Sequence, residues 1–389
     1  MDISALIANI PQIGSEFMIS YCIINGMPMR LDEVQNMGYE EFWKRSKLNM
    51  PKKLYKYCSN TVERDENGLV VKDENGNPIN YSLINLENNT VFMQSPSAFD
   101  DVYDSDIHIE YEDYVKLRLR KYCERCEIII SDDSTMQELG DALLQRFAEA
   151  YSVDNSFLGA FSRSGNTEIE RLSNEILCNR TEININKGLE LGIALGEAIR
   201  EEYDLFCNQL KTTFRTTCFA TSPYSQLMWG GTYANNHKGF CIEYTVLSNE
   251  KAYEELFHNL FPVVYCKIRP DMTNRLVDYK DKEPTLENLW DIYLHGALRK
   301  SFDWAYQNEW RLLLPLGRNK ETNYNIPFFP ITKVYLGNRM NAEDRSKIID
   351  ICKERGIPYV GVKRRQEYFE MQDCEQLCEN CPKVTIAKK

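Results

Sequence analysis

The sequence is poor in histidine and has no excess of positive charge. Its four histidines, His108, His237, His258 and His295, are dispersed, so no trio of imidazoles is placed to bind a metal. Acidic residues outnumber basic ones, 58 to 46, for a formal net charge of -12. That balance argues against a protein that holds nucleic acid mainly through its phosphates. The N-terminal MDISALIANIPQIGSEF has no leading positive charge and no long apolar run, which predicts neither a signal peptide nor a membrane span, and hence a cytoplasmic chain with no membrane partner. No Walker loop, no GxGxxG after a strand, no HExxH and no GxSxG occurs, which removes the commonest nucleotide, hydride, zinc-protease and hydrolase readings.

What is present is an ordinary globular composition, 389 residues with 43% hydrophobic and 27% charged, enough for one large domain or two smaller ones. Thirteen cysteines is a high count. Many lie inside apolar runs such as VVYCKI and IIDICKE, where they read as buried thiols packed like small hydrophobes. Two groups stand apart: Cys123 with Cys126, and Cys374, Cys378 and Cys381. The CxxxCxxC spacing of the second suits structural zinc or an iron–sulfur cluster with a borrowed fourth ligand. Its place at the end of the chain argues against radical chemistry, and free thiols are the expectation.

Residues 1–50 read as an extension with one helix near Tyr39–Lys47, pinned by Phe42 and Trp43. A core domain is expected from 51–109 and 211–370, with a helical insertion at 110–210 and a Cys-containing tail at 371–389. PKKLYKYCS alternates as a strand, and the repeated DENG of the next loop reads as a hairpin with Asn-Gly turns. The insertion shows apolar residues three and four apart, and it is a possible docking surface for a protein partner. LFPVVYCKIRP reads as one strand ended by proline. NEWRLLLPL reads as a strand with Trp310, Leu312 and Leu314 facing the core and Glu309, Arg311 and Leu313 on the other face. NAEDRSKIIDICKERG is a helix with an Asn cap and a terminal glycine, followed by a last strand, IPYVGVKR. The fold class is α+β, with a mostly antiparallel, split sheet and an inserted helical region.

The stretch from Arg215 to Tyr244 holds the densest group of uncommon side chains. It predicts a strand, a Ser-Pro turn, a short helix carrying Met228, Trp229 and Tyr233, a His-Lys-Gly turn, and a second strand that contains Glu243. Trp229 and Tyr233, four apart, would share a helix face. His237 would sit in an exposed turn, placed to bind phosphate or transfer a proton, or to cap the helix dipole. Asp100, Asp101, Asp104 and Asp106 form an acidic loop that suits a divalent cation in a nuclease, or more ordinarily caps turns.

Several blocks together resemble a bacterial family catalogued as domain of unknown function 2971, often found near phage-defence genes. They are LYKY at Leu54–Tyr57, Cys218 and Phe219, then Met228, Trp229, Tyr233, Ala234, His237, Gly239 and Cys241–Tyr244, then Lys300, Ser301, Trp304, Tyr306, Glu309, Trp310 and Arg311, and the KVYLG strand. Three positions depart from the family pattern. Ala220 stands for a serine, Phe99-Asp100-Asp101-Val102 for FNDP, and Gln307 for a glutamate. The order of elements is similar, as a fold-level analogy, to the ADP-ribosyltransferase fold.

That similarity implies a transferase acting on NAD in bacterial defence or toxin action, with an unidentified macromolecule as acceptor. Glu309 would stabilise the oxocarbenium-like ribose, with Glu243 and His237 as the other catalytic candidates. Tyr57, Trp229 and Tyr233 would hold the rings of NAD. Lys56, Arg311 and Lys300 would meet its pyrophosphate. The competing expectation is a non-catalytic module that senses a nucleotide or a phage component with the same residues. A metal-dependent nuclease is third.

Overall fold

The computed structural model describes residues 20–99, 101–151, 185–281, 286–315 and 324–374. They divide into two compact units, one drawn from Met1–Ser105, Lys211–Ile268 and Ala297–Lys389, the other from Asp106–Leu210 and Arg269–Gly296.

The strands of the first unit are, in chain order, β1 (Tyr21–Ile24), β2 (Met27–Arg30), β3 (Lys53–Cys58), β4 (Thr90–Met93), β5 (Phe214–Phe219), β6 (Phe240–Thr245), β7 (Leu260–Pro262), β8 (Val264–Cys266), β9 (Arg299–Ser301), β10 (Trp310–Pro315), β11 (Tyr324–Pro327), β12 (Ile331–Leu336), β13 (Tyr359–Arg364) and β14 (Met371–Cys374). Among the described residues they form sheets ordered β14-β13-β12-β6-β3, β2-β1-β8-β9, β5-β10-β7 and β11-β4. The two larger sheets are mixed, because β12 runs parallel to β13 and β8 parallel to β9. This corrects the expectation of a mostly antiparallel sheet. The coarse class, mixed α and β, holds.

Strand β6 shows how the pattern positions the candidate residues. Phe240, Ile242 and Tyr244 alternate into an apolar core with Leu54, Val334, Leu336 and Ile348, while Cys241 faces the other way, with Tyr55, Tyr57, Trp229 and Tyr335. Period-two alternation sends neighbours to opposite faces of the sheet. Helix Ala342–Glu354 starts where Asn341 Oδ1 accepts the Asp344 N–H at 2.8 Å, as its cap sequence predicts.

The β5 segment links its own sheet to those of β3 and β4. Tyr55 and Ala220 exchange backbone hydrogen bonds of 2.9 and 2.8 Å, and Gln94 and Thr216 exchange bonds of 3.0 and 2.9 Å.

Several local expectations need correction. LFPVVYCKIRP is two strands, β7 on β10 and β8 on β1, because the chain changes sheets at Val263, whose N–H reaches the Glu309 carbonyl at 2.9 Å. The segment before residue 50 contributes a hairpin whose β1 pairs with β8, in addition to the helix Tyr39–Leu48. The DENG repeat forms two successive tight loops, closed by the bridges Arg64–Val70 and Lys72–Pro78. In each, an aspartate accepts backbone N–H groups two and four residues on, and a glycine, Gly68 or Gly76, takes positive φ. Strand β14 lies beyond the last strand that the pattern showed.

The second unit is helical. Tyr111–Arg125, Met136–Tyr151 and Ile185–Thr212 supply Tyr114, Leu119, Leu139, Leu143, Leu195 and Ile199 to one apolar cluster. Met272, Leu276, Val277 and Ile292 belong to the same cluster, so residues 269–296 group with this unit. Thr135 and Glu138 cap the helix at Met136 reciprocally, each side chain accepting the other's backbone N–H, at 3.2 and 2.7 Å. No helix among the described residues is long and apolar enough to cross a membrane.

Candidate functional site

Strand β10 is buried on both faces, not only on the tryptophan side. Trp310, Leu312 and Leu314 enter the apolar core. On the other face Arg311 is 0% exposed and Glu309, just before the strand, 5%. Burying these charges is tolerable only if each is matched. Arg311 Nη1 and Nη2 donate to the two carboxylate oxygens of Asp104, both at 2.6 Å, and Arg311 Nε donates to Glu309 Oε1 at 2.6 Å. Nη1 also reaches the Ala297 carbonyl at 2.7 Å. Lys300 Nζ completes the group, 3.2 Å from Glu309 Oε2 and 3.6 Å from Asp104 Oδ2. Two carboxylates and two cations make the cluster neutral.

Burial alone would raise the Glu309 carboxyl. The Arg311 and Lys300 charges, with hydrogen bonds from Arg311 and Cys218, outweigh it and hold the group down to about 2. Burial acts against the Arg311 charge as well, but Asp104 and Glu309 raise it well above its ordinary value. Cys218, which pairs with Arg311 across β5 and β10, has its thiol pushed up to about 12, chiefly by burial and then by Glu309. From Lys300 the network runs outward. Lys300 Nζ donates to Gln307 Oε1 at 2.9 Å, and Gln307 Nε2 donates to Tyr233 Oη at 2.5 Å. Tyr233 is 36% exposed and is where this chain of hydrogen bonds meets solvent. A glutamate at 307 would add a third carboxylate to a neutral cluster, which the uncharged Gln307 does not.

Glu243 occupies a separate buried network, on the face of β6 that carries Tyr55 and Tyr335. Its carboxylate accepts from Lys53 Nζ at 2.7 Å, Thr332 Oγ1 at 2.8 Å and Tyr335 Oη at 2.9 Å. Burial would raise this carboxyl, but those three hydrogen bonds outweigh it and lower it.

The aromatic residues expected to share a helix face are separated. The helix ends at Gly230 and a 3-10 turn, Thr232–Ala234, follows, so Trp229 points inward and Tyr233 outward. Trp229 is 0% exposed. Its indole N–H donates to the Pro223 carbonyl at 2.7 Å, the edge of Tyr57 meets it at 5.3 Å, and His237 stacks on it at 6.3 Å. Tyr57 is buried too, its hydroxyl donating to the Ser222 carbonyl at 3.0 Å. Neither ring offers a free face.

His237 ends a run of three residues in the left-handed region, Asn235, Asn236 and His237, with φ of 46°, 52° and 67°. Such residues cost roughly 1–2 kcal/mol each. The turn is held from both sides, since a Cβ on Gly239 would lie 2.0 Å from the Cys58 carbonyl oxygen and one on Gly337 2.2 Å from that of His237. His237 is half-buried, and burial, then the Arg339 charge, lowers its imidazole below the usual range.

Lys56 projects from the opposite face of β3 to Tyr57. Its Nζ donates to Thr217 Oγ1 at 2.8 Å and to the Cys218 carbonyl at 3.1 Å.

The acidic loop does not act as one group. Asp104 is the counter-ion of Arg311, Asp101 Oδ1 accepts the Tyr103 N–H at 3.0 Å, Asp106 pairs with Arg269 at 2.9 Å, and Asp100 lies outside the described residues. Cys123 is buried within the helical unit. Cys374 is buried in β14, while Cys378 and Cys381 lie outside the described residues. No group of three metal-ligating side chains occurs among the described residues.

Asp104, Cys218 and Tyr265, whose hydroxyl accepts the Glu309 N–H at 2.8 Å, were not singled out as partners of Glu309 in the sequence. Asp104 carried no local signal of this role, because its partner Arg311 lies 207 positions away and only the fold pairs them. Neither a curated protein nor a solved structure matches the chain at a significant level. The stretch 228–312, which carries Trp229, Tyr233, His237, Glu243, Lys300, Gln307, Glu309 and Arg311, matches the model of the family described as Protein of unknown function (DUF2971), and it is to that family that this part of the chain is similar.

Proposed function

We propose that the chain is a recognition module for a nucleoside-like ring, read at the face that Tyr233 presents, and that it serves a bacterial defence or toxin system as its family resemblance implies. One observation carries this reading. The charges that transfer of ADP-ribose would need are already engaged inside the protein: Glu309 is paired with Arg311 and Lys300, Glu243 with Lys53, and Lys56 is hydrogen-bonded to Thr217 and Cys218 of β5. Toward solvent, aromatic rings lie among uncharged polar groups, with Asp303 exposed beside them. Tyr233 is partly exposed, Tyr306 and Trp304 are half-buried with ring centroids 6.1 Å apart, and Thr221 and Asn308 bond each other nearby. Flat aromatic and uncharged polar groups suit a planar base better than a pyrophosphate.

Calorimetry with adenosine, NAD and ATP tests it. Binding that Tyr233→Ala abolishes, with no nicotinamide released from NAD, is the expected result. No binding of any of the three would overturn it.

A second reading, an ADP-ribosyltransferase-like effector acting on NAD, is favoured by the position of Glu309 at the head of β10, next to Cys218 of β5. For that chemistry the Lys300 and Arg311 contacts would have to loosen on binding. Release of nicotinamide from labelled NAD that Glu309→Gln abolishes would establish it in place of the first reading.

A further inference from the structure

The direction of the hydrogen bonds that end at Tyr233 is fixed from inside the protein. An ammonium donates and cannot accept. The Gln307 atom that faces Lys300 Nζ at 2.9 Å is therefore the amide oxygen, Oε1, and the amide nitrogen is left to face Tyr233. That nitrogen is a donor only, so Gln307 Nε2 donates and Tyr233 Oη accepts, at 2.5 Å. The two ends of a glutamine amide are told apart by such partners alone.

The amide is held in this orientation. Gln307 is 4% exposed, and Lys300 is anchored by Glu309 at 3.2 Å and lies 5.0 Å from the ring centre of Trp304. Asn308 follows with φ of 42° and closes the 3-10 turn Phe302–Gln307 through its N–H to the Ala305 carbonyl, at 3.2 Å. Turning the amide over would set Nε2 against the ammonium, donor against donor, in a buried place.

A phenol hydroxyl that accepts a hydrogen bond still has its own proton to give. Among the described residues Gln307 is the one hydrogen-bond partner of the Tyr233 hydroxyl, so that proton has no acceptor there. Hydrogen bonds in series polarise one another, and a hydroxyl that accepts from an amide bonded to an ammonium is a better donor for it.

We propose that Tyr233 binds its ligand as a hydrogen-bond donor, so that the ring taken at this face is held through an acceptor atom, which for an adenine is one of its ring nitrogens. This rests on the reading of the face as a surface for a nucleoside-like ring. Gln307 and Lys300 are positioning residues, since they set which way the hydroxyl points. A glutamate at 307 would accept from both Lys300 and Tyr233 and leave only the phenol oxygen's lone pair toward the ligand.

Calorimetry with adenosine and its 1-deaza, 3-deaza and 7-deaza analogues, each with one ring nitrogen replaced by C–H, tests this on the native protein, Tyr233→Phe and Gln307→Glu. One analogue is expected to bind the native protein about five- to tenfold more weakly than adenosine does, the loss of a single hydrogen bond. Tyr233→Phe keeps the ring and removes the hydroxyl. It should weaken adenosine by the same factor and bind that analogue no worse than adenosine. Gln307→Glu should also lose the discrimination, and Tyr233→Phe decides the matter if the glutamate variant does not fold. Adenosine that binds equally with all three analogues, or a Tyr233→Phe protein that still tells them apart, would overturn the donor role and leave the ring surface standing. No binding of adenosine overturns the donor role as well, and if NAD and ATP also fail to bind, the reading of the face falls with it.

Discussion

Replacing Arg311 by methionine tests the energetics of the buried cluster most directly. In the native protein the Glu309 carboxyl is held near 2 against an ordinary value of 4.5. At about 1.4 kcal/mol per pH unit, that difference is worth roughly 3 kcal/mol to the folded state. The sign follows from the lowered value: the contribution is complete above the unfolded carboxyl range near 4.5 and is lost as pH falls toward 2. Arg311→Met leaves Asp104 and Glu309 buried with Lys300 as their single cation. The expected cost is about 3–5 kcal/mol at pH 7, the range for removing one partner of a buried pair.

The pH dependence should also change sign. With too little positive charge beside it, burial governs Glu309 and lifts its carboxyl above the unfolded value. The variant then loses stability as pH rises through the carboxylate range, where the native protein gains it. Adding Asp104→Asn to Arg311→Met removes the stranded carboxylate and should restore part of the loss. Urea unfolding followed by tryptophan fluorescence, which reports on the buried Trp310 and Trp229, measures all three proteins from pH 4 to 7. A penalty below about 1 kcal/mol, or an unchanged pH slope, would refute the view that Arg311 neutralises two buried carboxylates.

Other outcomes follow from the same geometry. Trp229→Ala should cost about 3–5 kcal/mol in urea melts, as for a fully buried indole, whereas Tyr233→Ala should stay within about 1 kcal/mol while losing ligand binding in the same preparation. Glu243→Gln keeps the shape but sets an amide N–H₂ against donors from Lys53, Thr332 and Tyr335, and should cost about 1–3 kcal/mol by the same assay. Gly239→Ala forces a methyl against the Cys58 carbonyl and should lower the melting temperature sharply, and by more than Gly38→Ala, which has open space around it and loses only a favourable helix N-cap. His237 has a lowered imidazole value, so the unfolded chain takes up its proton first and stability should fall as pH drops below about 6.5. His237→Asn should flatten that part of the profile in thermal melts.

Much of the local structure was legible in the sequence because it depends on neighbours along the chain. Alternation located β3, β6, β10 and β12, and the Asn341 cap and Gly356 bounded the helix Ala342–Glu354. The joint spacing of the Met228–Tyr244 and Lys300–Arg311 blocks identified the family resemblance. Less visible were features that depend on two distant segments. Nothing in LFPVVYCKIRP marks Val263 as a change of sheet, since β7 and β8 choose β10 and β1 as partners only when the chain has folded. Likewise Trp229 and Tyr233 look like one helix face until Gly230 and Gly231 end the helix between them.

By itself the sequence determined many of the strands and helices and which side chains carry charge or an aromatic ring, because periodicity, caps and turn residues act over a few positions. Tertiary structure alone decided what those side chains do. Glu309 reads as an exposed catalytic acid on a two-faced strand, and it becomes a buried, neutralised carboxylate because Asp104 and Lys300 bring the charge balance to zero around Arg311. A carboxylate in water and one inside a protein differ by the cost of desolvation, and that cost is set by partners far away in sequence.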